Sequence, residues 1–377
     1  MGLGRISLTV RATVGLVLGL VLGLGLVGAP AIAADPAVNT SPPTVTGVPA
    51  YRQTLSATPG TWSPEGVSFT YQWLRDAEPV PGATATTFRT GLDDLGHRLA
   101  VTVVATDATG AQSVATSAPT MLIARADFAV EEKPIAAGAS RFTRVLTARR
   151  PVLRPRPTTV RYRWLRDDEP IVGARGSRYR LTVEDVGHRV RAQVTARREG
   201  YRTAALPSRP RTVLHLAPLR RTVTYSIQTR GPVRAFVAEF RRQAQETFAD
   251  PRGWRSAGVA FRPVPAGADF TIVLAVASAV PGFSGSCSAT WSCRVGRFVI
   301  INRTRWATAS PAWNAAGRSL RDYRHLVVNH ETGHWLGHGH RGCAGPGPAP
   351  VMMQQSKGTG GCAFNPWPLP SERWVRR

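Results

Sequence analysis

A repeat with a period of 91 residues occupies the middle of the chain. Residues 71–76 read Tyr-Gln-Trp-Leu-Arg-Asp and recur at 162–167 with one change, and residues 94–98, Asp-Leu-Gly-His-Arg, recur at 185–189 with one change. Both landmarks have the same separation, 164 − 73 for the tryptophan and 188 − 97 for the histidine. Two independent landmarks at one spacing indicate duplicated modules, so this part of the chain must fold twice into one architecture.

Each module is predicted to be all-β. Apolar and aromatic residues alternate with polar ones along one segment of each module, which is the period-2 pattern of a half-buried strand. These residues are Phe69, Tyr71 and Trp73 in the first module and Val160, Tyr162 and Trp164 in the second. Short strands separated by proline and glycine turns indicate a β-sandwich. We therefore expect sandwich modules at residues 38–125 and 128–216.

The tryptophan strand resembles the core strand of immunoglobulin-like (Ig-like) domains, and the modules are similar to Ig-like repeats of bacterial surface and secreted proteins. Neither module contains cysteine, so the inter-sheet disulfide of antibody domains is absent. His97 and His188 follow a turn at matched positions, and nothing nearby in sequence completes a metal site, so we expect them to be structural or surface residues. The modules could contact a cell-envelope surface or serve only as spacers.

The N-terminal residues predict export. Arg5 and Arg11 are followed by an apolar stretch at 12–29, and Pro30 precedes an A-x-A sequence. This order is typical of a signal peptide, which we place at residues 1–34. The alternative is an uncleaved membrane anchor, because the apolar stretch is long for a signal peptide. The sequence therefore predicts a secreted protein or one at the extracellular cell surface.

The net charge of +25 comes almost wholly from arginine, since Lys133 and Lys357 are the only lysines. The arginines are scattered, and no basic run is interleaved with aromatic residues, so we expect no nucleic-acid partner. A bias toward arginine, alanine, glycine and proline is what a GC-rich genome imposes on solvated surfaces. The alternative is contact with an anionic cell-envelope polymer. We expect the chain to be a monomer.

The four cysteines lie in the last third of the chain. They are Cys287, Cys293, Cys343 and Cys362. An even number in an exported protein predicts two disulfides. Sequence allows three pairings, and closure between near neighbours favours Cys287–Cys293 and Cys343–Cys362. A zinc site made of all four cysteines is disfavoured because no C-x-x-C pair is present.

The last part of the chain, residues 217–377, is predicted to be an α+β domain. Apolar residues follow helical spacing from 232 to 248, and short apolar runs at 270–276 and 298–301 are typical of buried strands. A second helix is predicted to begin at Ser319, where an acidic residue three positions on forms a variant of the capping box. Helix and strand patterns therefore alternate in this domain.

The sequence from His330 to His340 predicts a metal site. His330 and His334 are four residues apart on the second predicted helix, so they share one face and can bind one zinc ion. Glu331 stands beside the metal's open position. Gly337 can adopt a left-handed conformation that ends the helix and brings back His340 as the third ligand, leaving the fourth position for water. Requiring the glycine and third histidine makes a chance match rare.

Two further histidines lie near the motif. His338 lies four residues after His334 and could compete as third ligand, but the glycine turn favours the longer reach of His340. We expect His338 to be exposed or to support a ligand. His325 lies off the ligand face, and we expect it at the surface.

The extended H-E-x-x-H-x-x-G-x-x-H motif resembles that of the metzincin metallopeptidases. Those enzymes have a methionine turn beneath the zinc, and Met352 and Met353 follow His340 at a suitable distance. Residues 325–369 further resemble an uncharacterised family of secreted proteins from high-GC Gram-positive bacteria, and the resemblance covers residues 220–370. It implies a zincin-type fold with one catalytic Zn²⁺.

By this resemblance, His330, His334 and His340 would ligate zinc, and Glu331 would be the general base. Met353, or its neighbour Met352, would form the apolar floor under the metal. Some metzincins place a tyrosine ligand shortly after the methionine turn, where this chain has Gln354 and Gln355. No further group that stabilises the transition state is therefore identified.

The fold class expected is multidomain, with two all-β Ig-like sandwich modules followed by an α+β zincin-like or metzincin-like domain. The function expected is that of a secreted zinc-dependent endopeptidase that hydrolyses protein or peptide substrates with a zinc-activated water and Glu331 as base. One alternative is a zinc hydrolase of a non-peptide cell-envelope amide. Another is a catalytically silent, zinc-containing surface protein for binding or adhesion.

Overall fold

The computed structural model describes residues 37–63 and 65–375. The predicted signal peptide, or membrane anchor, at 1–34 lies outside these residues. Among the described residues, no helix is long and apolar enough to span a bilayer. The chain divides into two units between Ala124 and Arg125. The further boundary near residue 217 lies within the second unit and stays a prediction.

The first module folds as two antiparallel sheets around one core. Its strands are β1 Val38–Ser41, β2 Thr44–Thr46, β3 Thr54–Thr58, β4 Thr61–Ser63, β5 Ser68–Arg75, β6 Glu78–Pro79, β7 Thr87–Arg89, β8 Leu99–Thr106 and β9 Gln112–Thr116. One sheet has the order β2-β3-β7 and the other β6-β5-β8-β9, while β1 pairs with β4. Leu55 of the first sheet and Trp73 and Val101 of the second share one buried cluster, so the sheets pack face to face.

The second module repeats this arrangement. Its strands are β10 Ala129–Glu132, β11 Ile135–Ala137, β12 Val145–Arg149, β13 Val152–Arg154, β14 Thr159–Arg166, β15 Glu169–Pro170, β16 Arg178–Arg180, β17 Arg189–Arg197, β18 Ala204–Pro207 and β19 Arg211–Thr212, with a 3-10 turn at Val183–Asp185. The sheets have the orders β11-β12-β16 and β15-β14-β17-β18, and β19 also pairs with β17. The expectation of all-β, Ig-like modules is therefore confirmed at the level of sheet architecture.

Equivalent contacts surround the two repeated tryptophans. Trp73 is fully buried and its indole N–H donates to the Ala85 carbonyl at 2.8 Å. Trp164 is likewise buried and donates to the Gly176 carbonyl at 3.0 Å. These two acceptors differ by the repeat period, so the duplication in sequence is also a duplication of side-chain contacts.

The aspartate of the second landmark is buried in each module. Asp185 accepts from the Arg166 Nε at 2.8 Å and from the Thr182 backbone N–H at 2.7 Å. In the first module, Asp94 accepts from Arg75 at 2.6 Å in the same way. A buried carboxylate needs such donors, because an unpaired charge inside a protein is strongly destabilising.

The repeated histidines are structural surface residues, as expected. His97 lies 2.6 Å from the Asp76 carboxylate, and His188 pairs with Asp167 in the same arrangement. All four side chains are about half exposed, with values between 45% and 53%. Each pair therefore joins the residue after the tryptophan strand to a residue just before the neighbouring long strand, in the same way in both modules.

The C-terminal domain contains a five-stranded mixed sheet and four helices. Its strands are β20 Arg221–Arg230, β21 Val259–Pro263, β22 Phe270–Ala275, β23 Cys293–Val295 and β24 Phe298–Asn302, in the order β21-β20-β22-β24-β23. Its helices are α1 Val237–Ala249, α2 Arg303–Thr308, α3 Pro311–Ala315 and α4 Leu320–Trp335, with 3-10 turns at Arg234–Phe236, Trp254–Ala257, Ala277–Ala279, Pro281–Phe283, Gln355–Lys357 and Pro370–Glu372. The first four strands of the order pair in parallel, and β23 is an antiparallel edge strand.

The helices and strands of this domain match the expected α+β pattern. The helical spacing from 232 to 248 corresponds to α1, and the apolar runs at 270–276 and 298–301 correspond to β22 and β24. Ser319 caps α4 by accepting from the Asp322 backbone N–H. The disulfides Cys287–Cys293 and Cys343–Cys362 are formed, which is the pairing favoured from sequence.

Replacing Asp185 with alanine should destabilise the second module by about 2–3 kcal/mol, because Arg166 and the Thr182 N–H lose a buried acceptor. Urea unfolding followed by tryptophan fluorescence measures this loss. The matched control is Glu131→Ala, since Glu131 pairs with Arg154 at an exposed position of the same module and its loss should cost less than about 1 kcal/mol. Equal losses in the two variants would contradict the importance of the buried aspartate.

Candidate metal centre

Three histidine side chains converge at the C-terminal end of α4. His330 and His334 lie one turn apart on this helix, and His340 follows it. The Nε2 atom of His334 is 3.2 Å from Nε2 of His330 and 3.1 Å from Nε2 of His340. One nitrogen from each ring lies within 4.8 Å of the other two. The three residues predicted as zinc ligands are therefore brought together.

Gly337 makes this convergence possible. The helix ends at Trp335 with Leu336 as its C-cap, and Gly337 then adopts a φ of +98°, in the left-handed region that favours glycine. The next backbone N–H, of His338, donates back to the Gly333 carbonyl at 3.0 Å, a hydrogen bond typical of a helix C-terminus. The chain reverses here, so His340 can return to the face that carries His330.

Backbone carbonyls fix the tautomers of the two helical histidines. Nδ1 of His330 donates to the Val351 carbonyl at 2.8 Å, and Nδ1 of His334 donates to the His338 carbonyl at 2.8 Å. A carbonyl cannot donate, so Nδ1 carries the proton in each neutral ring and Nε2 carries a lone pair. Both Nε2 lone pairs therefore point at the centre of the cluster.

The donor set fits a zinc ion. Lone pairs facing one another repel unless a cation lies between them, and three imidazoles are a ligand set that zinc prefers. In a tetrahedral zinc site with Zn–N bonds of about 2.05 Å, neighbouring nitrogens are about 3.3 Å apart, close to the two separations in this cluster. Burial lowers the pKa of all three histidines, and of His330 to about 3, so the rings are in the neutral, ligating form at neutral pH.

Glu331 lies beside the three histidines. It is buried, and it lines the same cavity as the ligand nitrogens. Burial alone raises the pKa of its carboxyl to about 8. A dication held by the neighbouring imidazoles would act in the opposite direction and favour the carboxylate. A buried carboxyl with a shifted pKa in a cleft is suited to accept and release a proton.

Met352 packs beneath the ligand-bearing turn of α4. It is fully buried, and a Cβ built on Gly333 would lie 2.3 Å from its Sδ and 2.7 Å from the ring of Trp254. Gly333 lacks a side chain, so Met352 can approach the helix between His330 and His334. Met353 is partly buried and lines the cavity instead. Of the two methionines predicted at this turn, the structure therefore places Met352 against the helix.

Glu372 supports the methionine turn, a role that no sequence pattern predicts. Its carboxylate accepts from the backbone N–H groups of Val351 at 3.0 Å, Met352 at 2.9 Å and Leu369 at 2.8 Å. It is fully buried. The Val351 carbonyl is the acceptor for His330, so Glu372 acts on the ligand through one peptide group. Such supporting groups orient ligands without touching the metal.

The two glutamines after the methionine turn hold the local loop. Gln355 is buried and its amide donates to the carbonyls of Pro350 and Asn365 at 2.9 and 2.7 Å. Its side-chain oxygen accepts from the Asn365 N–H at 2.8 Å. Gln354 is exposed and accepts from Lys357 at 3.3 Å. The position where some metzincins place a tyrosine ligand is thus used for loop packing.

His338 is buried rather than exposed, and its backbone carbonyl accepts from His334, which matches the alternative expectation that it supports a ligand. Its ring stacks on Trp254 with centroids 4.7 Å apart and contacts Trp374 at 3.9 Å. Its Nε2 donates to the Trp374 carbonyl at 3.0 Å. The turn at Gly337 directs this ring toward the two tryptophans rather than the metal cluster. The ring of His338 therefore packs between the two tryptophans while its carbonyl holds His334, and His340 is the third member of the cluster.

His325 is also buried, and its expected surface position is wrong. It is 6% exposed, and its ring packs on Trp367 with centroids 4.5 Å apart. Thr247 donates its hydroxyl to the Gln243 carbonyl, so it accepts from Nδ1 of His325 at 2.9 Å. His325 does lie off the ligand face of α4, as its position in the helix predicts. The face on which it lies is covered by α1 and the C-terminal segment, so the side chain is buried.

A cavity of about 710 Å³ opens over the cluster. One side is formed by the segment that the Cys287–Cys293 disulfide closes, and another by residues 353–357 after the methionine turn. The ligand histidines and Glu331 also line this cavity. A substrate in the cavity could therefore reach both the metal cluster and the candidate base.

The C-terminal domain matches a known protein family. Residues 220–366 match the family described as "Protein of unknown function (DUF3152)". The match includes the three histidines, Glu331 and Met352, and the description assigns no activity. No curated protein matches the chain.

Solved structures that resemble the chain include one described as tandem Ig repeats of Dlar. An ICAM-5 D1–D4 ectodomain fragment is 18% identical over 48% of this chain and 57% of its own, with a TM-score of 0.27. Three N-terminal domains of the bacteriophage RB49 outer capsid protein Hoc are 16% identical over 49% and 65%, with a TM-score of 0.22. The chain thus spans less than two thirds of the ICAM-5 and Hoc structures. The Ig-like architecture of the two modules rests on their strand order and on the contacts that they share.

Glu372→Gln should weaken zinc binding about tenfold and lower stability by about 2 kcal/mol. An amide cannot accept from all three backbone N–H groups, so the turn that holds His330 loosens. Zinc titration with a competing chelator and thermal unfolding of the zinc-free protein measure the two effects. Glu199→Gln is the control, because Glu199 is exposed. Unchanged zinc affinity would contradict the supporting role.

Acid should destabilise the folded chain through His325. Burial lowers the pKa of His325 from 6.5 to about 4, so between these values the unfolded chain binds a proton that the folded chain excludes. The contribution of His325 to the free energy of unfolding is fully present above pH 6.5, and it falls by about 3 kcal/mol as the pH approaches 4.

His325→Gln should remove this component of the pH dependence. Urea midpoints of wild type and variant, measured at pH 7.5 and 4.5 with chelator present, give the comparison. The difference between the two proteins isolates His325 from the other buried histidines. An equal loss of stability on acidification in both proteins would contradict the assignment.

Proposed function

We propose that the protein is a secreted zinc-dependent endopeptidase of the metzincin type. The observation that carries the proposal is the convergence of three neutral imidazole nitrogens with a buried carboxyl, Glu331, in one open cavity. This is the ligand set of a catalytic zinc site, in which three protein ligands leave one position open, together with the base that hydrolysis needs. The two disulfides agree with an exported protein.

His330, His334 and His340 would hold the zinc ion through their Nε2 atoms. Zinc, when bound, polarises a carbonyl group and lowers the pKa of water. Glu331 takes a proton from the attacking water and then passes it to the leaving amine of the scissile bond. The carbonyls of Val351 and His338 keep the two helical imidazoles oriented through the reaction.

An extended peptide suits the cavity, because one wall of the cavity includes an edge strand. Strand β23 pairs only with β24 among the described strands, so its other edge is free of sheet partners. Cys293 and Arg294 of this strand line the cavity. Free N–H and C=O groups on an edge strand can pair with a substrate chain. This observation favours a peptide over a non-peptide cell-envelope amide.

Zinc content and cleavage of a peptide library test the proposal. The wild type should hold about one zinc per chain and cleave peptides. Glu331→Ala should keep the zinc, and its kcat should be about 10²–10⁴-fold lower than that of the wild type, because the substitution removes the base but no ligand. His340→Ala should lose both zinc and activity.

His97→Ala is the matched control, since His97 lies at the surface of the first module. If the wild type binds zinc but cleaves no peptide, endopeptidase activity is excluded. Hydrolysis of a non-peptide amide would then support the second enzyme candidate. If Glu331→Ala cleaves as fast as wild type, Glu331 is not the base.

A further inference from the structure

The cavity over the metal cluster has an unbalanced charge. Its charged side chains, apart from the histidines, are Arg294, Lys357 and Glu331. Glu331 is buried, whereas Arg294 and Lys357 are exposed. Two cations therefore face the space that a substrate would occupy, and a bound dication would add to their field.

Arg294 of β23 lines the cavity and lies on the strand face away from the neighbouring apolar cluster. Cys293 and Val295, its neighbours on the strand, pack in the apolar cluster with Phe298. Successive side chains of a strand point to opposite faces, so Arg294 lies on the face away from that cluster. Its positive charge also reaches His334 in the metal cluster. The disulfide between Cys287 and Cys293 holds the segment leading into this strand.

Lys357 enters the cavity from a separate segment, the short helical turn Gln355–Lys357 after the methionine turn. Its charge reaches His340. The turn is anchored by buried Gln355, whose amide bonds hold the loop. Both cations are therefore carried by segments that are fixed close to the metal cluster.

Acidic side chains do not neutralise these two cations. Among the described residues, Arg294 forms no ion pair, and the Lys357 ammonium donates to an amide oxygen, that of Gln354, at 3.3 Å. By contrast, two arginines of α4 have acidic partners. Arg321 pairs with Glu246, and Arg324 pairs with Glu239. The two cavity cations remain available for an external anion.

We propose that Arg294 and Lys357 bind a carboxylate of the substrate close to the scissile amide. This inference rests on the proposed function and names its substrate class, namely peptides with an acidic side chain or a free terminal carboxylate beside the bond that is cleaved. An arginine binds a carboxylate through two parallel hydrogen bonds, and a lysine adds a point charge. The pair would thus select substrates before the reaction begins.

Four matched peptides test the inference on the zinc-loaded protein. One carries glutamate beside the scissile bond with a blocked C-terminus, and a second carries glutamine there. The third has neutral residues with a free C-terminal carboxylate near the bond, and the fourth is its amide. The two pairs distinguish the side-chain source of the carboxylate from the terminal source.

Wild type should prefer the carboxylate member of at least one pair by about tenfold or more in kcat/KM. In the double variant Arg294→Gln, Lys357→Gln this ratio should fall to near one. Arg262→Gln is the matched control, because Arg262 is an exposed arginine on β21, at the opposite edge of the same sheet, and should keep the wild-type ratio. Replacing Arg294 and Lys357 with glutamate should shift the preference to a peptide with lysine.

Two results would overturn the inference. Wild type could show no preference in either pair, or the preference could survive in the double variant, as it would if the metal bound the carboxylate. In the double variant, a loss of kcat shared by both members of a pair, with the ratio retained, would instead assign the two cations to the reacting carbonyl oxygen and would also overturn the inference.

Binding separates this inference from the proposed hydrolysis. The zinc-loaded Glu331→Ala protein can be titrated with the same four peptides, fluorescently labelled, with and without the double substitution. Carboxylate-dependent binding that the double variant loses supports the inference even if no peptide is cleaved. Cleavage without any carboxylate preference in rate or binding leaves the peptidase proposal intact and overturns the inference.

Discussion

The hydrogen bond from Nδ1 of His330 to the Val351 carbonyl joins the two halves of the candidate metal centre. It fixes the tautomer that leaves Nε2 free for a metal, and it ties α4 to the methionine turn. Met352, the next residue, can then pack under Gly333, where a side chain would collide with its sulfur. Glu372 holds the same turn from the other side through the Val351 and Met352 N–H groups. Ligand orientation, helix packing and the C-terminal segment therefore depend on one another.

Sequence could predict the parts of this centre that local rules govern. The spacing of His330 and His334 follows from 3.6 residues per helical turn, and Gly337 follows from the positive φ that the reversal requires. Ser319 follows from the hydrogen-bonding needs of a helix N-terminus. The duplication was equally accessible, because the contacts around Trp73 and Trp164 use acceptors at the same offset. In each case the relevant information lies within a few residues or within an exact repeat.

The remaining features depend on tertiary contacts between distant segments. A helix position gives the direction of His325, but only the placement of α1 and Trp367 decides that this direction is covered. His338 is buried because Trp254 and Trp374 lie on either side of its ring, and these residues are far from it in sequence. Glu372 belongs to no periodic pattern, and its three partners are backbone groups that any sequence possesses. Folding, rather than composition, gives these residues their roles.

The charged residues also show that amino-acid composition and position in the fold carry different information. A net charge of +25 carried by scattered arginines predicts a solvated surface and identifies no ligand. In the folded chain, several arginines meet acidic partners, and Arg75 and Arg166 do so at buried aspartates in the duplicated modules. Arg294 differs because it faces a cavity whose one carboxyl is buried among the candidate zinc ligands. An unpaired cation in open solvent needs no partner, whereas one beside a bound dication raises the local concentration of anions. The same residue type therefore contributes only solubility at one position and, in our proposal, substrate selection at another.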